Sequence, residues 1–264
     1  METPLIGLVD SHFHLLAVQE KGLDVPALLS TMKERDYRGI EIGLHGNDLA
    51  QRIELVGEYP NLHFATGLGP WAATWEDWKL KEALSIVQAD LSRYDVLAVG
   101  EIGLDNYWDY GTKERQEAIF LTQAEFGKPI IIHNREADQQ FITLLKDQSF
   151  AAGGIFHCFS GSAELADLAL EKGFYLSFAG SLTYKGSEDL IAIMKRMPKE
   201  RLLLETDSPY LAPIPKRGKK NNPLYIEHLY RFVANELALS TKELIDLVSS
   251  NFQHFVDRAK VDRP

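Results

Sequence analysis

Short apolar runs recur along the chain, and each has the length of a strand that is buried in a sheet. We predict eight strands from these runs. The predicted strands are Ile6–Val9, Gly39–Leu44, His63–Leu68, Val96–Gly100, Pro129–Ile132, Gly154–Phe156, Phe174–Ser177 and Leu202–Glu205.

Segments with apolar residues at helical spacing separate these runs, and two more follow the last one. The predicted helices are Val25–Arg35, Leu49–Glu58, Trp75–Arg93, Lys113–Phe126, Ala137–Leu145, Ala163–Glu171, Glu188–Met194, Ile226–Leu237 and Lys242–Asp257. Strands that alternate with helices indicate βαβ units and a parallel sheet. Eight such units in about 250 residues match the size of a (β/α)₈ TIM barrel. We therefore predict an α/β fold with a single barrel domain over residues 1–264, with an open doubly wound sheet as the alternative.

The charge and cysteine content narrow the class of protein. The net charge of −10 argues against a protein that coats nucleic acid electrostatically. It does not exclude an enzyme that acts on phosphates, because a divalent metal can reverse the local field. The single cysteine, Cys158, permits no intrachain disulfide and suits a reducing compartment. With no apolar run long enough for a membrane helix and no positive leader, we expect a cytoplasmic protein without membrane contact. No obligatory protein partner is evident.

Six polar residues of two chemical kinds lie at the ends of five predicted strands. In a parallel barrel these ends share one face, where active sites gather, so we expect the six side chains to converge. Strand ends one, four, five, six and eight contribute His12, His14, Glu101, His133, His157 and Asp207.

Imidazole and carboxylate are the usual ligands of zinc and manganese, and carboxylates also suit magnesium. Four imidazoles and two carboxylates could hold two ions, with one carboxylate bridging. Two such ions can activate a water molecule and clamp the oxygens of a phosphodiester. A lone His or Asp near a strand end is usually only hydrogen-bonded, but six at five strand ends would be costly to bury without such a role. The pattern predicts a metal-dependent hydrolase.

Nucleophilic catalysis finds less support in the sequence. Cys158 follows His157 directly, and neighbours on a strand face opposite ways. There is no Gly-x-Ser-x-Gly elbow and no Gly-Lys-Ser/Thr phosphate loop.

Five segments carry a resemblance to a known family. They are DSHFH (Asp10–His14), GEIGLD (Gly100–Asp105), PIIIHNREA (Pro129–Ala137), FHCFSG (Phe156–Gly161) and LETDSP (Leu204–Pro209). In these segments the chain closely resembles the TatD family of metal-dependent deoxyribonucleases, within the amidohydrolase-like barrels. The segments come in the family's order and span essentially the whole chain.

The resemblance implies a role for each of the six residues and a cofactor of two divalent ions, whether zinc, manganese or magnesium. The first ion would be held by His12 and His14, with Glu101 as the bridge. The second would be held by His133 and His157. The resemblance further implies that Asp207 binds metal and orients or deprotonates the attacking water, so that Asp207 and Glu101 are the catalytic residues. The implied substrate is DNA, trimmed exonucleolytically, with single-stranded ends as the expected form.

The chain departs from the family pattern at three positions. Phe13 stands where the family has Cys or Ala, and Leu16 stands where many members have Asp. Gly69 precedes Pro70 where the family usually has a His that is expected near the substrate phosphate. The predicted metal ligands are thus all present in the sequence, whereas we expect the substrate contacts after the third strand to differ.

Several cations and aromatic residues are candidates for contact with DNA. The candidate phosphate contacts are Arg135, Arg217, Lys219 and Lys220, and the candidate stacking residues are Trp71, Trp75 and Trp108. The alternatives are a solvated loop tip for the last three cations, packing for each Trp, and a carboxylate partner for Arg135.

Two other functions stay open at the level of sequence. The first is a barrel hydrolase that cuts a C–N or carboxylic ester bond, such as a cyclic amide or an aminoacyl ester. Such relatives often need a carbamylated Lys at the fourth strand, but no Lys lies between Asp95 and Trp108, and Glu101 takes that place. The second is a metal-containing scaffold without catalysis, against which the full ligand set argues.

Overall fold

The computed structural model describes residues 3–261. Within this range, eight parallel strands form one sheet in the order β1 to β8. The strands are β1 (Val9–Phe13), β2 (Arg38–Ile42), β3 (Leu62–Thr66), β4 (Val96–Asp105), β5 (Ile130–Arg135), β6 (Gly154–Phe156), β7 (Tyr175–Phe178) and β8 (Leu202–Leu204).

Ten α-helices lie between and after the strands in the described range. They are α1 (Leu15–Glu20), α2 (Val25–Glu34), α3 (Leu49–Val56), α4 (Asp77–Arg93), α5 (Lys113–Ala124), α6 (Asp138–Asp147), α7 (Ala163–Glu171), α8 (Glu188–Arg196), α9 (Ile226–Glu236) and α10 (Thr241–Val261). Side chains cap several of them, as where Asp24, Thr112 and Ser162 accept hydrogen bonds from the first turns of α2, α5 and α7. Within residues 3–261, no helix has both the length and the apolar character that crossing a bilayer requires.

The sheet closes on itself between its first and last strands. A single parallel bridge joins Phe13 to Ser208. Beside it, the Asp207 amide donates to the His12 carbonyl at 2.9 Å, and the His14 amide donates to the Ser208 carbonyl at 2.9 Å. The predicted (β/α)₈ barrel is confirmed, and the open doubly wound sheet is excluded.

Apolar side chains of the strands fill the barrel and pack against the surrounding helices. Ile130, Ile131 and Ile132 of β5 and the three leucines of β8 are all buried. Close packing between neighbouring strands requires glycine at one point beside the site. A Cβ atom on Gly103, at φ +153°, would lie 2.0 Å from the His133 carbonyl oxygen. Glycine there lets β4 pair with β5 alongside two of the predicted metal ligands.

Several predicted strand bounds are wrong in the same direction. The first strand was predicted to end at Val9, but β1 begins there and continues to Phe13, so that His12 lies inside it. Likewise β4 and β5 continue past the apolar run and include Glu101 and His133. A run of apolar residues ends at the first polar side chain, whereas backbone pairing continues to the mouth of the barrel. The short helix α1, which directly follows His14, was not predicted.

Candidate metal centre

Glu101 lies at the centre of the six predicted site residues, and its two carboxylate oxygens face different imidazoles. Oε2 is 3.0 Å from His12 Nε2 and 3.5 Å from His14 Nε2. Oε1 is 3.3 Å from His133 Nδ1 and 3.9 Å from His157 Nε2. The barrel therefore brings together two pairs of imidazoles with one carboxylate between them.

The first donor group has the dimensions of a tetrahedral site. The Nε2 atoms of His12 and His14 are 3.1 Å apart. Asp207 Oδ1 lies 3.8 Å from the first and 3.4 Å from the second. Ligands about 2.1 Å from a tetrahedral ion are separated from one another by about 3.4 Å. These three donors, together with Glu101 Oε2 as the fourth, therefore fit around one cation.

The second donor group is smaller and more open. It consists of Glu101 Oε1, His133 Nδ1 and His157 Nε2, and its two nitrogens are 3.3 Å apart. The three residues belong to one set whose donor atoms lie within 4.8 Å of one another. Three protein donors around an ion leave a position free for water or substrate, which is typical of catalytic sites.

The outer ring nitrogens show which way the imidazoles present their lone pairs. Three of the four rings bond an oxygen through the nitrogen that faces away from the centre: His14 Nδ1 to the Ile42 carbonyl at 3.0 Å, His133 Nε2 to Asp105 Oδ2 at 3.1 Å, and His157 Nδ1 to Glu205 Oε1 at 3.3 Å. An unprotonated oxygen can only accept, so the outer nitrogens carry the protons and the inner nitrogens offer lone pairs. This donor chemistry fits two divalent ions.

His12 is held by packing instead of an outer hydrogen bond. Its ring is fully buried and stacks on His157, with centroids 3.9 Å apart. Its Nδ1 atom is buried without a hydrogen-bond partner among the described residues. Its Nε2 atom faces Glu101, in the same direction as that of His14.

The electrostatics of the cluster keep the carboxylates charged. Burial favours a higher pKa for Glu101, but the charge of His157 and the hydrogen bond from His12 outweigh it and hold the pKa well below its usual range. Burial likewise favours a lower pKa for His14, but the hydrogen bond to Asp207 and the charge of Glu101 raise it to about 9. The carboxylates thus attract positive charge, whether it is carried by protons on the rings or by a metal ion.

Asp105 and Glu205 hold two of the candidate ligands in place, and sequence reasoning did not assign them a role. Asp105 is 2% exposed and Glu205 is 0% exposed. Asp105 orients His133, and Glu205 orients His157 while accepting the Cys158 amide at 2.7 Å. Both residues lie inside the segments that carry the family resemblance, and this position was the signal in the sequence that could have pointed to them. Their partners could not be read from the chain, because each contact joins two different strand ends.

A cavity of about 630 Å³ opens over the metal centre. Apart from the donors, its walls are mostly aromatic and apolar. They comprise Leu44, His45, Asp105, Tyr110, Tyr210 and Leu211 together with three of the predicted substrate contacts, Trp71, Trp108 and Arg135. Trp75 does not line this cavity and instead stacks under Lys79, whose Nζ is 4.5 Å from the ring centroid.

The three cations of the loop after β8 lie outside the walls of this cavity. The Arg217 guanidinium stacks on the Tyr184 ring at 4.3 Å, and Lys220 Nζ donates to the Lys21 carbonyl. Lys219 is exposed. A role of these cations in binding phosphates stays a prediction.

The three departures from the family pattern have different surroundings. Phe13 is fully buried in the core, and Leu16 is partly buried and lines a separate cavity that His14 also borders. At Gly69, a Cβ atom would lie 2.2 Å from the Trp71 ring. The Trp71 indole donates to the Leu44 carbonyl at 3.1 Å and so occupies the space next to position 69.

A (β/α)₈ barrel with two imidazole pairs around a shared carboxylate at its mouth defines the class of metal-dependent hydrolases. Residues 9–257 match the family model described as TatD related DNase. The chain belongs to the TatD family.

Individual relatives agree with this assignment. The chain is 34% identical over 257 residues to the uncharacterized metal-dependent hydrolase YabD of Bacillus subtilis, covering 92% of this chain and 96% of that one. It is 35% identical over 218 residues to a protein of Edwardsiella piscicida named 3'-5' ssDNA/RNA exonuclease TatD, covering 78% and 83%. The crystal structure of YJJV, a TatD homologue from Escherichia coli K12, superposes with a TM-score of 0.82 at 24% identity, over 94% of this chain and 97% of that one, and so shares the fold.

Proposed function

We propose that this TatD-family hydrolase is a deoxyribonuclease that cleaves phosphodiester bonds at the ends of single-stranded DNA. The observation that carries the proposal is Glu101, whose two oxygens each face one imidazole pair. A carboxylate shared between two donor groups can hold two ions close together, and two close ions can clamp the attacking and leaving oxygens of a phosphodiester. The name of the Edwardsiella relative supports nucleic acid as the substrate class.

The site residues have two proposed roles, which are binding the ions and accepting the proton of the attacking water. When bound, two divalent ions would acidify a water molecule and neutralise charge on the phosphate. His12, His14 and Glu101 would hold one of them, and His133 and His157 with Glu101 the other. The proposed ions are zinc or manganese, because imidazole donors prefer these metals, and magnesium is the alternative.

Asp207 is the proposed proton acceptor and also a ligand. Burial favours a higher pKa, but the hydrogen bond from His14 and the charge of His12 hold the pKa of Asp207 below its usual value, so that it is ionised at neutral pH. Its side chain is 13% exposed and lines the cavity. It can therefore reach a water molecule at the centre, orient it and take its proton.

The test uses short single-stranded DNA labelled at the 3′ or the 5′ end, with protein stripped of metal and resupplied with magnesium, manganese or zinc. We expect metal-restored trimming from one end. Asp207→Ala should abolish it without loss of the folded circular-dichroism spectrum, and Asp147→Ala on the exposed end of α6 should leave it unchanged. Absence of cleavage with every metal, in protein that binds two ions, would refute the proposal and point to an ester or amide substrate.

We also propose the cytoplasm as the site of action, since the lone thiol of Cys158 suits a reducing compartment. Fractionation of cells that express the chain would test this, and recovery outside the cytoplasmic fraction would contradict it.

A further inference from the structure

Two large aromatic residues are exposed at the rim of the metal cavity. Tyr107 and Trp108 lie just after β4, beyond Asn106, and are each 52% exposed. Their rings meet edge to face, with centroids 4.9 Å apart, and Trp108 also lines the cavity. Exposed aromatic faces next to an active site are characteristic of surfaces that stack on a ligand.

Arg135 completes this surface from the end of β5. Its guanidinium carbon lies 3.9 Å from the centroid of the Tyr107 ring and 5.6 Å from that of Trp108. Within residues 3–261 no hydrogen bond or ion pair of its side chain is found, so that no carboxylate neutralises it. The two rings position the cation while its N–H donors stay available for an anion.

The backbone fixes this surface relative to the metal centre. Asp105 Oδ1 accepts the amides of Tyr107 and Trp108 at 2.9 and 3.0 Å, while Oδ2 of the same carboxylate accepts from His133 Nε2. The Asn106 amide donates to the Arg135 carbonyl at 2.8 Å. One carboxylate therefore holds both a metal ligand and the two aromatic residues, which keeps the exposed rings preorganised.

We propose that Tyr107, Trp108 and Arg135 form an aromatic platform that binds the nucleotide adjacent to the cleaved phosphate of a single strand. The proposal rests on the nuclease function proposed above. A base stacks on the exposed Trp108 ring, against which Tyr107 packs edge to face, and the Arg135 guanidinium over the Tyr107 ring binds the neighbouring phosphate. Single-stranded nucleic acid fits because its base faces are free, whereas a duplex keeps them stacked on each other. Stacking of this kind accepts every base, so the platform selects strandedness and not sequence.

The test is a binding cycle that requires no turnover. The probe is a fluorescent single-stranded hexathymidylate with phosphorothioate linkages, which resists hydrolysis, together with a set of six probes that each lack one base. Anisotropy titrations use metal-loaded wild type, Trp108→Ala, Trp108→Phe, Tyr107→Ala and Arg135→Ala. Trp78→Ala is the matched control, because Trp78 is 68% exposed on α4 and does not line the cavity.

We expect wild type to lose about 10-fold in affinity when one particular base, within two nucleotides of an end, is missing. Trp108→Ala should bind the intact probe more weakly than wild type by a similar factor. Removing that base from the probe should then not weaken the binding of Trp108→Ala any further. Trp108→Phe should retain most of the wild-type affinity. Arg135→Ala should weaken binding of every probe and lower the salt slope by roughly one unit. Trp78→Ala should bind as wild type does.

Three results would overturn the platform. In the first, Trp108→Ala and Tyr107→Ala bind the intact probe as tightly as wild type does. In the second, the losses of affinity from base removal and from Trp108→Ala simply add, and in the third, wild type does not bind the probe. The nuclease function is tested separately with wild type on bis(4-nitrophenyl) phosphate, a diester that has no nucleobase. Turnover of that diester with a failed binding cycle would refute the platform alone. A successful binding cycle without turnover of this diester or of DNA would refute the nuclease alone.

Discussion

The carboxylates of Asp105 and Glu205 decide how two of the four imidazoles face the metal centre. Each accepts from the outer nitrogen of one ring, which fixes the ring's tautomer and raises the basicity of the inner nitrogen. Neither was assigned a role from the sequence, although both lie in the segments that resemble the family. The candidate ligands could be predicted from residue type and strand position, and the structure brings their donor atoms together. The orienting contacts were not, because they depend on which strand ends become neighbours.

Glu205→Gln tests the orienting role. The amide can still accept from His157 Nδ1 but carries no charge, so we expect metal affinity to fall by about 10-fold with little change in the folded spectrum. Competition with a chromophoric chelator measures this. Glu58→Gln, an exposed site after α3, is the control. Unchanged affinity for both ions would show that Glu205 only packs.

Gly69 and Trp71 should be energetically coupled. In Gly69→His the new Cβ meets the Trp71 ring, so we expect a loss of about 1–3 kcal/mol in the free energy of unfolding. Combining it with Trp71→Ala frees the space, and the double variant should lose less than the two single variants together. Urea melts of the four proteins give the coupling. Additive losses would contradict the packing described here.

At the scale of elements, polar side chains extend or begin secondary structure where apolar patterns stop. The last helix, α10, illustrates this with a reciprocal capping box. The Ser240 amide and hydroxyl donate to Glu243 Oε2, each at 2.7 Å, and the Glu243 amide donates to Ser240 Oγ at 3.2 Å. The sequence predicted this helix over Lys242–Asp257, and the structure extends it to Thr241–Val261.

The capping box should stabilise the fold in a pH-dependent way. The hydrogen bonds from Ser240 lower the pKa of Glu243. A depressed pKa in the folded state gives stability that is present above the unfolded value of about 4.3 and is lost as the pH falls through the folded one. Glu243→Ala should therefore lower the Tm at pH 7, and the gap to wild type should narrow toward pH 3.5. Ser240→Ala should cost about 1 kcal/mol at pH 7. A gap that is constant with pH would contradict the ionic part of the cap.

For the whole molecule, the alternation of strands and helices predicted eight βα units and favoured the barrel. It left an open doubly wound sheet as the alternative, which only the contact between the first and last strands excludes. The net charge of −10 means that attraction to a polyanion must be local to the site.

The salt dependence of DNA binding measures how local that attraction is. If Arg135 and one or two further cations hold the strand, the logarithm of the binding constant should fall with the logarithm of salt concentration with a slope of magnitude about 2 or less. Titrations of single-stranded DNA between low and moderate salt would give this number. A magnitude near 4 would instead implicate the cations of the loop after β8, Arg217, Lys219 and Lys220.

The contact between β1 and β8, which closes the barrel, also has a consequence for the order of events during translation. His12 and His14 leave the ribosome long before Asp207, which faces them where β8 meets β1. At 5–20 residues per second this delay is roughly 10–40 s. Throughout it, β1 has no β8 to pair with, and its histidines lack their partner carboxylate. At the proposed metal centre, the first ion can therefore be held by its full donor set only after Asp207 has emerged and β8 has paired with β1.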